Sequence, residues 1–253
     1  MALMPTADTT RKVLVTGGTG GIGRRIVAAF AGEGHELAIS SRSGEADPDL
    51  NVLNIRLDLE DPAGAAAAVA EIAPRLGGLD TLVANAVRWP TSRSARFEDL
   101  PPGEWQAVLR ANVEGAFAIV QAALPALRAS GNGRIVVISS GAAEEGHPPA
   151  PHYVAAKAAL HGLVRALAWD AGADGVLANA IAVGFTRTDR NAGRFPDELF
   201  DRAGALTPQR RVSTGDDVAR VALWLGSDAN TSVTGEVIRE GTSAARTPLV
   251  AVA

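Results

Sequence analysis

The sequence predicts a single α/β domain built on a doubly wound, mostly parallel sheet, and three observations carry that expectation. Short apolar runs alternate with helical segments along the chain, which places helices on both faces of a parallel sheet. The run Gly133–Ser139 (GRIVVIS) is almost continuously apolar, as a strand covered on both faces must be. The first apolar run, Lys12–Thr16, passes directly into a glycine-rich turn ahead of a helix. With 253 residues, 47% hydrophobic and 21% charged, the chain suits one large domain with a full core.

Lys12–Thr16 (KVLVT) is read as the first strand, and Gly21–Gly32 as the helix after its turn. Glu36–Ser40 (ELAIS) and Val52–Leu57 (VLNIRL) are the next two strands. Only Arg42–Asn51 separates them, rich in Gly, Pro and Asp, so no full crossover helix is expected there. Pro62 suits the first helical position, where its missing N–H is no loss, and opens an alanine-rich helix to Leu76. Thr81–Ala84 is a strand, Gly103–Ser130 one long helix carrying Pro125, and Gly133–Ser139 the fifth strand. His152–Ala173 reads as helix, Leu177–Val183 as strand, Thr214–Gly226 as helix and Glu236–Arg239 as the last strand. Thr186–Arg211, rich in Arg, Asp, Phe and Pro, is the one long irregular stretch. Residues 186–211 are therefore expected to form a substrate lid, mobile without ligand. Residues 1–10 and 242–253 read as tails on a domain of residues 11–241.

A formal net charge of −4 and a pI near 5.6 offer no basic surface for nucleic acid. No run approaches about 20 uninterrupted apolar residues, so no membrane span is expected. Met1–Arg11 lacks the apolar core of a signal peptide. Zero cysteines exclude disulfides, Cys-ligated metal and thiol catalysis, and fit a cytoplasmic setting. His147, His152 and His161 stand at no spacing with acids that would build a metal site, and no metal is expected.

Tyr153 is the only tyrosine, and it stands four residues before Lys157, one of two lysines. On a helix that spacing puts phenol and ammonium on one face. A close cation favours the phenolate, so the phenol is expected below its usual pKa of about 10, within reach of acid/base work. The turn Thr16–Gly23 (TGGTGGIG) carries Gly17, Gly21 and Gly23, which let backbone approach a pyrophosphate at the N-terminus of the next helix.

On these residues the chain resembles the short-chain dehydrogenase/reductase family, in its shorter single-domain form, over roughly Arg11 to Gly241. Thr16–Gly23 is similar to the family's TGxxxGxG cofactor turn, and Asp58 to its adenine-contacting Asp. Ala84-Asn85-Ala86 resembles its NNAG segment and Asn112 its catalytic Asn. Ser140, thirteen residues before Tyr153, matches its catalytic Ser, and Tyr153 with Lys157 its YxxxK. The resemblance implies a Rossmann-type fold and hydride transfer between nicotinamide C4 and a carbonyl carbon. It implies that Tyr153 carries the proton, that Lys157 lowers the Tyr153 pKa and holds the nicotinamide ribose, and that Ser140 bonds the substrate oxygen. Asn112 would hold a water leading protons to Lys157. Implied cofactor positions are Gly17, Thr19, Gly21, Ile22 and Gly23 in the turn, with Ser41, Arg42, Asp58, Leu59, Asn85 and Ala86 at the next strand ends. Tyr153, Lys157, Gly184, Thr186 and Thr188 complete that set. Three segments depart from the family's pattern: Val87 replaces a glycine, Val183-Gly184 replaces Pro-Gly, and Glu240-Gly241-Thr242 replaces Asp-Gly-Gly. A β-branched Val87 disfavours positive φ and so narrows the backbone options beside the cofactor.

Cofactor preference turns on the end of the second strand, where a carboxylate would bind a ribose 2′-hydroxyl and repel a 2′-phosphate. Ser40-Ser41-Arg42 has no acid until Glu45, and Arg42 suits a phosphate, so NADP(H) is expected over NAD(H). Arg24 and Arg25 could assist. Carrier-dependent ketoreductases of the family tend to hold basic residues where this chain has Gly131 and Asp174, which favours a free small-molecule substrate. Trp89, His147, Pro148, Pro149, Phe185, Phe195 and Phe200 fall on segments expected around the reacting centre and suit a bulky apolar or aromatic ketone, as in natural-product tailoring. The rival readings are a 3-oxoacyl (carrier-protein) reductase and a non-catalytic dinucleotide-binding sensor. By resemblance the chain is expected to pair as a homodimer or homotetramer through helices Gly103–Ser130 and His152–Ala173.

Overall fold

In the computed structural model, which describes residues 10–45, 52–91, 96–146 and 149–241, every strand pairing is parallel. The strands are β1 (Lys12–Thr16), β2 (Glu36–Ser41), β3 (Leu53–Arg56), β4 (Thr81–Ala84), β5 (Arg134–Ser140), β6 (Leu177–Val183), β7 (Thr186–Arg187), β8 (Ser213–Thr214) and β9 (Val237–Glu240). Seven form one sheet in the order β3-β2-β1-β4-β5-β6-β9, while β7 and β8 pair separately. The helices are α1 (Gly21–Gly32), α2 (Pro62–Leu76), α3 (Pro102–Leu109), α4 (Gly115–Ala129), α5 (Ala142–Glu145), α6 (Pro151–Ala171), α7 (Asp189–Ala192), α8 (Asp197–Ala205) and α9 (Gly215–Gly226).

Successive strand residues point to opposite faces, so one sheet feeds two cores. Val13, Val15, Ile39, Val83 and Ile138 pack on one face against Ile26 and Phe30 of α1 and Val218 and Leu225 of α9. Leu14, Leu82, Ile135 and Val137 pack on the other against Val69, Ile119, Leu127 and Val164 of α2, α4 and α6. This is the doubly wound, single-domain α/β fold that the alternation of runs predicts.

Two expectations need correction. The long helix expected over Gly103–Ser130 is interrupted: Arg110–Glu114 forms a π turn between α3 and α4. The Asn112 side chain donates to Val108 O one turn back and to Arg88 O outside the helix, which competes with the regular ladder. The stretch Thr186–Arg211, expected to be irregular, instead contains β7, α7 and α8. Its helices are too short for periodicity to stand out, although Pro196 followed by Asp197 and Glu198 is a helix start. Residues 42–45 are not helical, and the rest of the Arg42–Asn51 connection lies outside the described residues, as do residues 1–9 and 242–253 of the two tails.

The helical run Pro102–Ala129 also qualifies the expectation about membranes. An 18-residue stretch within it has a mean hydropathy of 1.3, long and apolar enough to span a bilayer by composition alone. Its Val108, Ile119, Val120 and Leu127 are buried in this fold.

Candidate active site

The sheet order reverses between β1 and β4, which opens a crevice at the carboxyl ends of these strands. The glycine turn lies there. Gly17 and Gly21 adopt φ of 66° and 53°, and a Cβ on Gly23 would stand 2.1 Å from Gly17 O. Only glycine at 23 lets α1 start this close to the turn. Gly20 caps α1 without a side chain, so the first-turn N–H groups stay open to an anion. A side chain added at Gly20 or Gly21 would meet nothing within 4 Å. The turn therefore has the open, N–H-lined form that a dinucleotide pyrophosphate requires. Thr19 is exposed at its tip, and Ile22 is half-buried behind it.

Asn85 and Ala86 brace this turn from β4. Asn85 Nδ2 donates to Thr16 O (3.0 Å) and Gly17 O (3.1 Å), and the N–H groups of Asn85 and Ala86 donate to Thr16 Oγ1. Val87 keeps a negative φ, so the expected conflict with its β-branched side chain does not arise. After β2, buried Ser41 accepts from Gly44 N through its hydroxyl, which fixes the bend that carries Arg42. Arg42 is exposed and uncommitted among the described residues. Arg25, expected to assist it, is instead tied to Asp189 and Asp216. Asp58 is half-buried and accepts from Glu60 N, while Leu59 is buried beneath it.

Two of the departures from the family pattern prove to be neighbours. Val183 pairs with Glu240 in register, and Gly184 N donates to Glu240 O. A Cβ on Gly184 would stand 2.0 Å from Gly241 O, so glycine is required where β6 leaves the sheet. Thr186 is buried and bonds Gly184 O, and Thr188 N donates to Asn191 Oδ1 as α7 begins.

Ser140 at the end of β5 stands near Tyr153 in the first turns of α6, close enough to lower the phenol's pKa. Ser140 Oγ accepts from Ala142 N at 3.2 Å, which leaves its own proton free to donate. Lys157 Nζ lies 5.8 Å from the Tyr153 ring centroid and donates to Ile138 O at 2.8 Å. Burial pushes Tyr153 up to about 12, against a smaller lowering by Ser140. Burial also pulls Lys157 down to about 8. In the chain alone burial dominates the phenol, and the lowering comes from Ser140. Asn112 is buried, and both its amide hydrogens are spent on Val108 O and Arg88 O. Its side chain anchors the segment after β4.

Sequence reasoning missed two parts of this site. Ser139 Oγ donates to Lys157 O, so it accepts from His161 Nε2 at 2.8 Å, and the pair clasps α6 to β5 one turn beyond Lys157. The four-residue step from Lys157 to His161 was the available signal. Arg88 makes two 3.1 Å bonds to Glu104 and one contact to Glu60 at 3.2 Å. Burial alone would raise Glu104, but Arg88 and Thr91 hold it down to about 2.

The expected pocket aromatics divide. Trp89 lies flat on Tyr153, with centroids 5.3 Å apart and planes 16° apart. Phe185 stacks on Phe200 at 5.1 Å with Phe195 edge-on, so these three cluster with one another just after β6. Pro149 lies just ahead of α6, and His147 and Pro148 fall outside the described residues. Near the lid, Arg187, Phe200, Arg210 and Arg211 line a cleft of about 440 Å³.

Comparison with known proteins adds three findings. Residues 17–239 match the family described as enoyl-(acyl carrier protein) reductase, of the short-chain alcohol dehydrogenase group. The chain is 34% identical to a 3α-hydroxysteroid dehydrogenase of Mediterraneibacter gnavus, over 89% of this chain and 93% of that protein. It is 30% identical to a 3-oxoacyl-(acyl-carrier-protein) reductase of Staphylococcus aureus and 31% identical to an acetoacetyl-CoA reductase of Shinella zoogloeoides, each over 90% of this chain and 96% of the relative. A solved structure named as a short-chain alcohol dehydrogenase from Sinorhizobium meliloti superposes with a TM-score of 0.83 at 34% identity, covering 93% of this chain and 96% of that one.

Proposed function

This chain belongs to the short-chain dehydrogenase/reductase family, and from that premise we propose that it is an NADP(H)-dependent ketoreductase, or alcohol dehydrogenase in reverse, acting on a free, bulky apolar or aromatic ketone. The observation that carries the reading is the buried Tyr153 with Lys157 Nζ 5.8 Å from its ring and Ser140 beside it at the end of β5. Two hydroxyls converge on one point, where a carbonyl oxygen can take a bond from each. When bound, the nicotinamide supplies a hydride to the carbonyl carbon or removes one from the carbinol. Tyr153 gives its phenolic proton to the oxygen during reduction, and takes the alcohol's proton during oxidation. Ser140 donates to the same oxygen and stabilises the charge that develops there. Lys157, buried and pulled down to about 8, is poised to exchange a proton near neutral pH.

Several observations support the finer points. Uncommitted Arg42 and the absence of a carboxylate beside it favour a 2′-phosphate, hence NADP(H). Arg128, near Gly131 and Asp174, is paired with both Asp170 and Asp174, which leaves it less available to an acidic carrier protein. That favours a free substrate over the carrier-bound one of the 3-oxoacyl reductases. The steroid-acting relative is a precedent for a bulky apolar ring substrate. A sensor without turnover would need neither the paired hydroxyls nor the buried lysine.

A panel of ring and chain ketones, followed by loss of reduced-nicotinamide absorbance with NADPH and with NADH, tests the reading. Turnover of apolar ring ketones with preference for NADPH is expected. Turnover confined to acyl-carrier thioesters, or none with any carbonyl, would overturn it.

A further inference from the structure

We propose that Trp89 is the specificity-determining residue of this site, a rigid indole platform that selects ketones bearing a flat ring beside the carbonyl. The inference rests on the ketoreductase reading and names the substrate feature that the site distinguishes. One face of the indole covers the Tyr153 ring at 5.3 Å and 16°. The side chain is nonetheless 44% exposed, so its open surface lies on the other face and the edges, directly beside the proton-carrying phenol. A substrate whose oxygen reaches Ser140 and Tyr153 must lay its carbonyl substituent along that surface. A flat ring gains there the offset or edge geometry that aromatic pairs prefer, whereas a puckered ring packs without that additional attraction.

The platform is fixed by its neighbours in sequence. Arg88 N donates to Asn112 Oδ1 (3.0 Å) and Arg88 O accepts from Asn112 Nδ2 (2.9 Å). The Arg88 guanidinium is bidentate to Glu104, and Thr91 N donates to the same carboxylate at 2.7 Å. The chain is thus clamped on both sides of Trp89-Pro90, and Pro90 fixes its own φ within the clamp. The indole is preorganised, and a substrate ring need not order it on binding. The lid aromatics Phe185, Phe195 and Phe200 spend their faces on one another. Among the described residues, Trp89 is the aromatic that contacts Tyr153.

The test compares acetophenone with cyclohexyl methyl ketone, which differ in a flat against a puckered ring, for wild type, Trp89→Phe, Trp89→Leu and Trp89→Ala. The ratio of the two kcat/KM values cancels any general damage to the site. It is expected to fall by about threefold to tenfold in the Leu and Ala variants, the range of one lost aromatic stack, and to be largely kept in Phe. An unchanged ratio in Leu and Ala, or a Phe variant no better than Ala, overturns the platform. If wild type reduces neither ketone, the wider ketone panel decides the ketoreductase reading, and calorimetric binding of acetophenone decides the inference alone. A Trp89→Ala loss of affinity similar in size would support it, and equal affinity would overturn it.

Discussion

Burial moves the two titrating groups of the site in opposite directions, Tyr153 up to about 12 and Lys157 down to about 8. Between pH 8 and the ordinary lysine value of 10.5 the unfolded chain holds a proton on Lys157 that the folded chain has lost. Stability therefore rises with pH through that window. Tyr153 acts oppositely only above its ordinary value of 10, where the folded phenol keeps its proton longer. Denaturant melts of wild type and Lys157→Met from pH 8 to 10 test this, because other titrations cancel in the difference. The wild-type advantage in slope should vanish in the variant, whereas parallel profiles would mean that Lys157 is not desolvated. Arg42 offers a second single-residue test. Arg42→Ala should weaken NADPH binding roughly tenfold to a hundredfold, the scale of a lost charge-assisted bond, with little effect on NADH. Equal losses for both cofactors would show a solvated loop arginine.

At the scale of elements, what was legible in the sequence depended on local repetition. The glycine turn, the strand ends and the Tyr153–Lys157 step announce themselves because each is a short-range pattern with one geometric meaning. The π turn at Arg110–Glu114 was not legible, since its cause is a bond from Asn112 to Arg88, 24 residues away. The Arg88–Glu104 clamp was hidden for the same reason. The helices within Thr186–Arg211 were not legible, because α7 and α8 have 4 and 9 residues and show little period. The segment's two anchors are visible: Arg25 of α1 holds Asp189, and β7 pairs with β8. Phe185, Phe195 and Phe200 give the segment between them its own small core. We expect the lid to close as a unit over substrate, hinged at these anchors. Hydrogen exchange with and without NADPH and ketone reads this directly. Exchange across residues 189–205 should be fast in the free protein and slow in the complex, and slow exchange unchanged by ligand would exclude a lid.

For the molecule as a whole, the sheet order and the placement of the site follow one rule. Parallel strands that reverse order between β1 and β4 leave a crevice at their carboxyl ends, and the proposed cofactor residues other than Tyr153 and Lys157 of α6 lie at or just beyond strand ends. Across the outer helices, Phe117 is 51% exposed on α4 and Trp169 is 91% exposed on α6. Large apolar side chains this exposed suit a contact between copies of the chain, and we expect a homodimer or homotetramer using these helices. Sedimentation should find the wild type associated and Trp169→Glu shifted toward monomer. A monomeric wild type would remove the helix faces from the account. The central claim is that Tyr153 carries the proton while the nicotinamide exchanges hydride with a carbonyl carbon. Its most direct test uses NADPH deuterated at C4 with an apolar ring ketone, following deuterium in the product alcohol for wild type and Tyr153→Phe. The account predicts one deuterium on the carbinol carbon in wild type, and a rate about a hundredfold or more lower in a folded, cofactor-binding variant. Label absent from the carbinol carbon, or a near-normal rate in Tyr153→Phe, would contradict it.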